Sequence, residues 1–258
     1  MIRTLLAATV ACAISCLLLA ATTSQLASAA DIKVLSAAAV KPALSELIPQ
    51  FEKSSGHKVT IDYGTAREIA DRIQKGEVGD VVILTQQIVA NLEKQARIVE
   101  GSPIEIGKVG VGAFSRKGAP KPDISSVEAW KRTLLTARSI GHVDPATGGP
   151  VAACVVGLLG RLDIAADIKP KTRVFPPYNF DAVANGDIEI GFASITEILA
   201  DSRVEFVGPL PEAIQSYTSV AAGIIASGKE RDAGKTLIRF ISSPEVAAVM
   251  KVKGIEPR

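Results

Sequence analysis

The chain has 258 residues, of which 47% are hydrophobic, and its formal net charge is +2 at pH 7. This length and apolar content are sufficient for one or two compact domains. The near-neutral charge argues against a nucleic-acid partner, which would need a concentrated basic face.

The first thirty residues are typical of a secretory signal peptide. Arg3 gives a basic start, an apolar run covers 5–21, and small residues follow. This order predicts a signal peptide over 1–29, with cleavage after Ala29 or Ala30. The apolar run is short for a bilayer span, so we expect an exported protein rather than an anchored one. The leader holds one base and no acid, which leaves a mature charge of (29 − 1) − 27 = +1.

The first part of the mature chain alternates predicted strands with predicted helices. Apolar residues recur at helical spacing along 40–51, whereas 80–84 is a nearly continuous apolar run, as in a strand covered on both faces. The strands are predicted at 32–35, 59–63 and 80–84, and the helices at 40–51, 65–76 and 86–97. This order predicts a parallel sheet with helices on both sides.

A second α/β run follows a glycine-rich strand predicted at 108–115. Its remaining strands are predicted at 139–141, 188–193 and 217–226, and its helices at 126–137, 150–161, before 185–186, and at 230–241 and 244–251. The glycine-rich strands at 108–115 and 217–226 are the candidate crossovers between two lobes. We expect one lobe from residues 30–112 and 218–258, a second from 113–217, and a cleft that closes by hinge motion.

Three strand-to-helix turns could hold an anion. They lie at 36–39, 63–67 and 144–150, where unpaired amides and the helix dipole favour negative charge. Each turn also has a purely structural explanation, such as Ser36 or Thr65 capping a helix. Three such turns in one exported α/β chain favour the anion site, and Arg67 could add a bidentate carboxylate contact.

Cysteine and histidine usage indicates no metal centre. After cleavage only Cys154 remains, in an apolar setting typical of a small buried hydrophobe, and it cannot form an internal disulfide. His57 and His142 are far apart in sequence, so no closed zinc site is predicted. We expect no cofactor.

Several segments resemble the molybdate-binding periplasmic proteins. They are Val34-Leu35-Ser36-Ala37-Ala38-Ala39-Val40-Lys41-Pro42-Ala43-Leu44, Gly79-Asp80-Val81-Val82-Ile83-Leu84 and Gly186-Asp187-Ile188-Glu189-Ile190-Gly191-Phe192-Ala193-Ser194. The resemblance covers nearly the whole mature chain in order. It implies a two-lobed type II periplasmic-binding-protein fold, a location in the periplasm, and delivery of a small oxyanion to the membrane permease of an ABC importer. We expect the protein to be a monomer.

The ligand shell departs from the pattern of that family. Ala39 stands where the family usually has a serine, Thr65-Ala66-Arg67 replaces a serine cluster, and Phe192 matches a common tyrosine. Fewer hydroxyls and an added cation favour a polycarboxylate over molybdate. The predicted ligand-binding residues are Ser36, Ala38, Ala39, Thr65, Arg67, Thr147, Gly148, Tyr178 and Ser194.

Two alternatives remain open. Similar departures occur in aconitate isomerase, an exported enzyme that resembles the same family and moves a proton to shift a double bond. Such a reaction needs a group that removes and returns a proton, and Asp144, His142 and Tyr178 are the candidates. Each of the three also has an ordinary structural explanation. The other alternative is an exported sensor module that reports ligand occupancy to a membrane kinase.

Overall fold

The protein has a mixed α/β fold, and the computed structural model describes residues 29–144, 150–176 and 179–258. Its strands are β1 (Asp31–Ala37), β2 (Lys58–Gly64), β3 (Val81–Thr85), β4 (Ile104–Arg116), β5 (Ile140–Val143), β6 (Thr172–Phe175), β7 (Ile190–Ser194), β8 (Val204–Pro209), β9 (Tyr217–Ile224) and β10 (Ile255–Glu256). Its α-helices are α1 (Lys41–Ser55), α2 (Ala66–Gln74), α3 (Gln86–Lys94), α4 (Val127–Thr136), α5 (Pro150–Arg161), α6 (Ala165–Ile168), α7 (Asp181–Ala184), α8 (Ile195–Ala200), α9 (Arg231–Ile241) and α10 (Ala247–Val252).

The strands follow the order β2-β1-β3-β9-β4-β7-β5-β6, with β8 and β10 also paired to β4. We call the part around β2, β1, β3 and β9 the first lobe, and the part around β7, β5, β6 and β8 the second lobe. Strands β2, β1 and β3 are parallel, as are β7, β5 and β6. Strand β9 runs antiparallel to β3, and β4 antiparallel to β7. The predicted α/β fold of two mostly parallel lobes is confirmed, and β4 joins the strands of both lobes into one ten-stranded sheet within the described residues.

Strand β3 explains how the core of the first lobe forms. Val81 and Ile83 join one apolar cluster with residues of α1 and α9, whereas Val82 and Leu84 join another with residues of α2 and α3. Alternate side chains point to opposite faces of a strand, so a strand covered on both faces is apolar throughout. The pattern of the sequence is therefore the direct consequence of two helical layers.

Strand β4 belongs to both lobes. Its residues 104–110 pair with β9, and its residues 111–116 pair with β7 and β8. The glycines in it permit close packing of β8 and α8: a Cβ at Gly112 would lie 2.8 Å from Phe206 Cε2 of β8 and 3.0 Å from Ile198 Cδ1 of α8. Strand β9 lies wholly in the first lobe, so the chain returns just before Tyr217. The lobe boundaries at 112/113 and 217/218 remain a prediction.

Some predicted boundaries differ from the structure. The helix predicted at 86–97 ends at Lys94, because Ala96 adopts a left-handed φ of 54°. The helix predicted at 244–251 is a 3-10 turn, Pro244–Val246, followed by α10. Strands β6, β8 and β10 and helices α6 and α8 were not predicted. Within the described ranges, no helix is both long and apolar enough to cross a membrane.

Candidate functional site

A cavity of about 500 Å³ lies between the two lobes, and we call it the interlobe cavity. Its first wall lies at the carboxyl end of β1, and its second wall follows the carboxyl end of β7. Ligands of open α/β sheets bind at such strand ends. The lining residues are Ala38, Ala39, Lys41 and Pro42 from the first lobe and Phe180, Thr196, Glu197, Ala200, Asp201, Ser202 and Arg203 from the second.

The first wall offers backbone donors. Strand β1 ends at Ala37, and the 3-10 turn Ala38–Val40 continues directly into α1. The opening amides of a helix have no acceptor in a preceding turn, and they carry the positive end of its dipole. The methyl side chains of Ala38 and Ala39 leave a ligand room to approach these amides.

Lys41 adds a positive charge to the same wall. Its Nζ lies 5.5 Å from the centroid of the Tyr63 ring, a cation–π contact. Burial raises the pKa of Tyr63 to about 12, so its phenol stays protonated at neutral pH. Among the described residues, no carboxylate forms an ion pair with Lys41. Its charge is therefore available to an anion in the cavity.

The second wall is helix α8, which begins where β7 ends. All five residues of β7 are buried. Ile195 and Ile198 point toward Gly112 of β4, whereas Thr196 and Glu197 line the interlobe cavity. Because one face of α8 packs on β4, the opposite face is turned away from the sheet. That opposite face is polar and lines the cavity.

Glu197 is the most perturbed acid of this wall. The residue as a whole keeps some exposure, but its Oε2 is shut off from solvent and has no hydrogen-bond partner in the described part of the chain. Burial raises the pKa of its carboxyl to about 7. The hydroxyl of Thr196 is also buried without a partner. Unpaired buried polar atoms are unfavourable, so two of them side by side point to a ligand contact.

Arg203 already forms ion pairs with two carboxylates. Its Nη1 lies 2.6 Å from Asp181 Oδ1, and its Nη2 lies 2.7 Å from Asp201 Oδ2. The hydrogen bond from Arg203 lowers the pKa of the Asp201 carboxyl. These three residues form a local network with a formal charge of −1, so Arg203 is not free to bind an anion.

The structure brings part of the predicted ligand set together. Ala38 and Ala39 line the interlobe cavity. Ser36 and Ser194 are buried at the ends of β1 and β7, next to the two walls. The Ser36 hydroxyl donates to the carbonyl oxygen of Ala37 at 3.1 Å.

Two other predicted residues lie on a separate groove. Thr65 caps α2, because its Oγ1 accepts a hydrogen bond from the amide of Glu68 at 3.2 Å. Arg67 is exposed, and with Thr65 it lines a groove of about 310 Å³ along α2. The other lining residues of that groove are Glu68, Asp71, Arg72 and Lys75.

Of the remaining predicted residues, Thr147, Gly148 and Tyr178 lie outside the described residues.

His142 is buried on β5, with Nδ1 2.8 Å from the carbonyl oxygen of Val143. The amide of Asp144 donates to the carbonyl of Phe175 at 3.0 Å, which ties it to β6. The described lining of the interlobe cavity includes neither His142 nor Asp144. Among the described residues, no three His, Cys, Asp or Glu side chains group as metal ligands would.

The sequence analysis missed Lys41 and Glu197 as site residues. A signal for each was present, since both follow a predicted strand end within a few residues. Lys41 comes after Ser36-Ala37-Ala38-Ala39-Val40, and Glu197 comes after Ser194-Ile195-Thr196. For Glu197 the missing information was the presence of α8, because this helix is too short to give a clear apolar period.

The two lobes, the strand that both share and the cavity between them define a two-lobed binding protein of the periplasmic type. The sequence profile described as "Bacterial extracellular solute-binding protein" matches residues 32–256, and the chain belongs to this family. The recognition of a solute-binding fold from sequence is confirmed.

Two named proteins and one solved structure are similar to this chain. It is 27% identical to an aconitate isomerase of Pseudomonas sp over 232 residues, 88% of this chain and 87% of that protein. It is 26% identical to the molybdate-binding protein ModA of Azotobacter vinelandii over 239 residues, 88% of this chain and 90% of that protein. The solved structure of an Azotobacter vinelandii periplasmic molybdate-binding protein superimposes with a TM-score of 0.70 at 20% identity, covering 88% of this chain and 99% of that one.

Proposed function

We propose that the protein is a periplasmic solute-binding protein that captures a small polycarboxylate in the interlobe cavity and presents it to the permease of an ABC importer. The observation that carries this proposal is the cavity itself, whose walls come from both lobes. A ligand that touches both walls stabilises the closed arrangement of the lobes. A signal peptide over 1–29 would deliver the chain to the periplasm.

The chemistry of the first wall supports an anionic ligand. The opening amides at Ala38 and Ala39 are donors, and Lys41 is a cation without a carboxylate partner in the described part of the chain. Together they can bind a carboxylate through charge-assisted hydrogen bonds.

The size and composition of the cavity favour a polycarboxylate over a tetrahedral oxyanion. About 500 Å³ is within the range of sites for small organic molecules. The first wall presents Ala38 and Ala39 rather than hydroxyl side chains, and Phe180 adds an apolar surface that suits a carbon skeleton. A ligand with several carboxylates could reach Lys41 and the α8 wall at once.

A second candidate function is the isomerisation of aconitate. The observation that favours it is Glu197, an acid in the cavity whose pKa of about 7 lets it both take and give a proton at neutral pH. One similar protein is named aconitate isomerase. Under this alternative Glu197 joins Asp144, His142 and Tyr178 as a candidate for the proton-transferring group.

A thermal-shift screen tests the proposed ligand class. The anions are molybdate, tungstate, sulfate, citrate and the two aconitate isomers, and a ligand selective for the folded state raises Tm. We expect the largest shift with a polycarboxylate. A response to molybdate and tungstate alone would show that the polycarboxylate preference is wrong.

An activity assay separates binding from isomerisation. Purified protein is incubated with trans-aconitate, and formation of the cis isomer is followed by NMR against a boiled sample. Conversion above that control supports the isomerase, whereas binding without conversion supports the solute-binding protein. Genes for a permease and an ATPase beside this one would favour transport.

A further inference from the structure

Glu197 lies on the second wall of the interlobe cavity. It is in the first turn of α8, on the face that lines the interlobe cavity, while Ile195 and Ile198 hold the opposite face against β4. Its Oε2 is buried and, within the described ranges, makes no hydrogen bond. The neighbouring Thr196 hydroxyl is in the same state. This wall therefore holds two polar groups that nothing in the described protein satisfies.

The charges around Glu197 do not neutralise it. Across the cavity is Lys41, which contacts Tyr63, and on the same wall Arg203 is paired with Asp181 and Asp201. Helix α8 packs on β7, which has no charged residue, and on β4 and β8. The charged residues of β4 and β8 are Glu105, Lys108, Arg116 and Glu205, of which Lys108 pairs with Glu256 and Glu205 with Lys121.

A carboxylate in this position and an anionic ligand repel each other, because like charges at close range disfavour the ionised form of both. A protonated carboxyl removes the repulsion and becomes a hydrogen-bond donor. We propose that Glu197 takes up one proton when a polycarboxylate enters the interlobe cavity, and that the resulting O–H donates a hydrogen bond to a ligand oxygen. This inference rests on the proposed function, since it needs an anion in the cavity.

The proton balance is simple. Solvent supplies one proton to the Glu197 carboxylate on binding, and the same proton returns to solvent on release. Burial raises the pKa of the free carboxyl to about 7, and a bound anion raises it further. Above pH 7 the affinity therefore falls by up to about tenfold per pH unit, and below pH 7 it levels off.

Calorimetry in matched buffers measures this proton directly. Titrations of trans-aconitate are made at pH 8 in HEPES and in Tris, whose ionisation enthalpies differ, and phosphate is avoided because it is itself a small oxyanion. The dependence of the binding heat on the ionisation enthalpy gives the number of protons taken up. We expect close to one proton for the wild-type protein, and a Kd that rises about tenfold between pH 8 and pH 9.

Two variants assign the proton to its residue. Glu197→Gln keeps the shape and a donor but cannot titrate, so we expect uptake near zero and a Kd that no longer depends on pH. Glu128→Gln is the matched control, because Glu128 is an exposed acid in the first turn of α4. It should leave uptake close to one.

The outcomes that overturn the inference differ from those that overturn the proposed function. Wild-type binding with no proton uptake and a flat pH profile overturns the inference alone. Uptake that persists in Glu197→Gln assigns the proton to another group and also overturns it. No binding of any anion in the panel overturns the proposed function and the inference together. Where the Glu197→Gln protein does not fold, Glu197→Asp takes its place, and a midpoint of Kd against pH that is unchanged in this variant overturns the inference.

Discussion

The side chain of Gln215 holds the backbone of Val111 with two hydrogen bonds. Gln215 Nε2 donates to the Val111 carbonyl at 3.0 Å, and the Val111 amide donates to Gln215 Oε1 at 3.0 Å. Val111 is the residue of β4 at which pairing passes from the first lobe to the second. Gln215 lies just before β9, so this one side chain ties the two connections between the lobes together.

Replacing Gln215 should weaken the protein at this junction. Gln215→Ala leaves the backbone of Val111 without both side-chain partners, and we expect a loss of about 1–3 kcal/mol in the free energy of unfolding. Denaturant unfolding followed by circular dichroism measures it. Gln50→Ala is the control, since the Gln50 amide donates only an exposed hydrogen bond to Glu46. A loss no larger than that of the control would contradict a role for Gln215 at the junction.

Asp80 should be a second point of large sensitivity. Its Oδ2 accepts from the amide of Lys33 at 2.8 Å, and its Oδ1 accepts from the amides of Lys229 and Glu230 at 2.8 and 2.9 Å. Asp80→Ala leaves these three backbone amides without an acceptor, so we expect a loss of about 2–4 kcal/mol in the free energy of unfolding. Equal stability of Asp80→Ala and of the exposed-site variant Asp232→Ala would refute this expectation.

The ligand-free protein should lose stability as pH rises from 4.5 to about 7 because of Glu197. Its pKa is about 7 in the folded state, above the usual value of 4.5 for a glutamate, so the folded state binds the proton more tightly than the unfolded state. Stability from this group is fully present below pH 4.5 and is lost as pH rises through 7. Glu197→Gln should therefore be more stable than wild type by about 1–3 kcal/mol at pH 8. Tm measured from pH 4 to pH 9 should give curves that converge at low pH, and parallel curves would argue against the raised pKa.

Lys41 should contribute to affinity without contributing to the fold. Lys41→Gln removes the cation of the first wall, and we expect Kd for a polycarboxylate to rise about tenfold, or about 1.4 kcal/mol. Calorimetry gives the value. Lys53→Gln, an exposed lysine in the last turn of the same helix, is the control. Equal affinities for the two variants would remove Lys41 from the site.

Arg67 gives a sharper test of the predicted ligand set, because it lies on the α2 groove rather than in the described lining of the interlobe cavity. If closure of the lobes brings the ligand to the start of α2, Arg67→Ala should raise Kd about tenfold or more. Lys75→Ala, on the same groove, should change Kd little. Unchanged affinity in Arg67→Ala would take Arg67 out of the site.

The fold was largely predictable because its determinants are local. The continuous apolar run at Val81–Leu84 and the helical spacing of Ala43, Leu44, Leu47 and Phe51 follow directly from burial on one or two faces. Strand β8 and helix α8 were not predicted, because their local sequences carry little information about burial. Strand β8 has mostly half-buried residues, and α8 has only six residues, so neither gives a clear period.

The candidate site was only partly predictable, because it depends on which strand ends meet in space. The alanines after β1 were identified from their position at a strand end. The position of Glu197 shortly after a predicted strand end was visible in the sequence, but its burial was not, since an acid in the first turn of a helix is ordinarily solvated and stabilised by the dipole. Its unusual state comes from the packing of Ile195 and Ile198 on the glycines of β4, which no local pattern encodes.

The place of β9 between β3 and β4 has a consequence for how the chain matures. Its residues are synthesised more than 130 positions after β3. One edge of β3 therefore has no partner strand while the whole second lobe is synthesised. During that interval the nascent chain carries an apolar strand that is open to wrong partners. A chaperone that shields exposed β-edges should therefore matter most for this polypeptide before residue 224 has emerged.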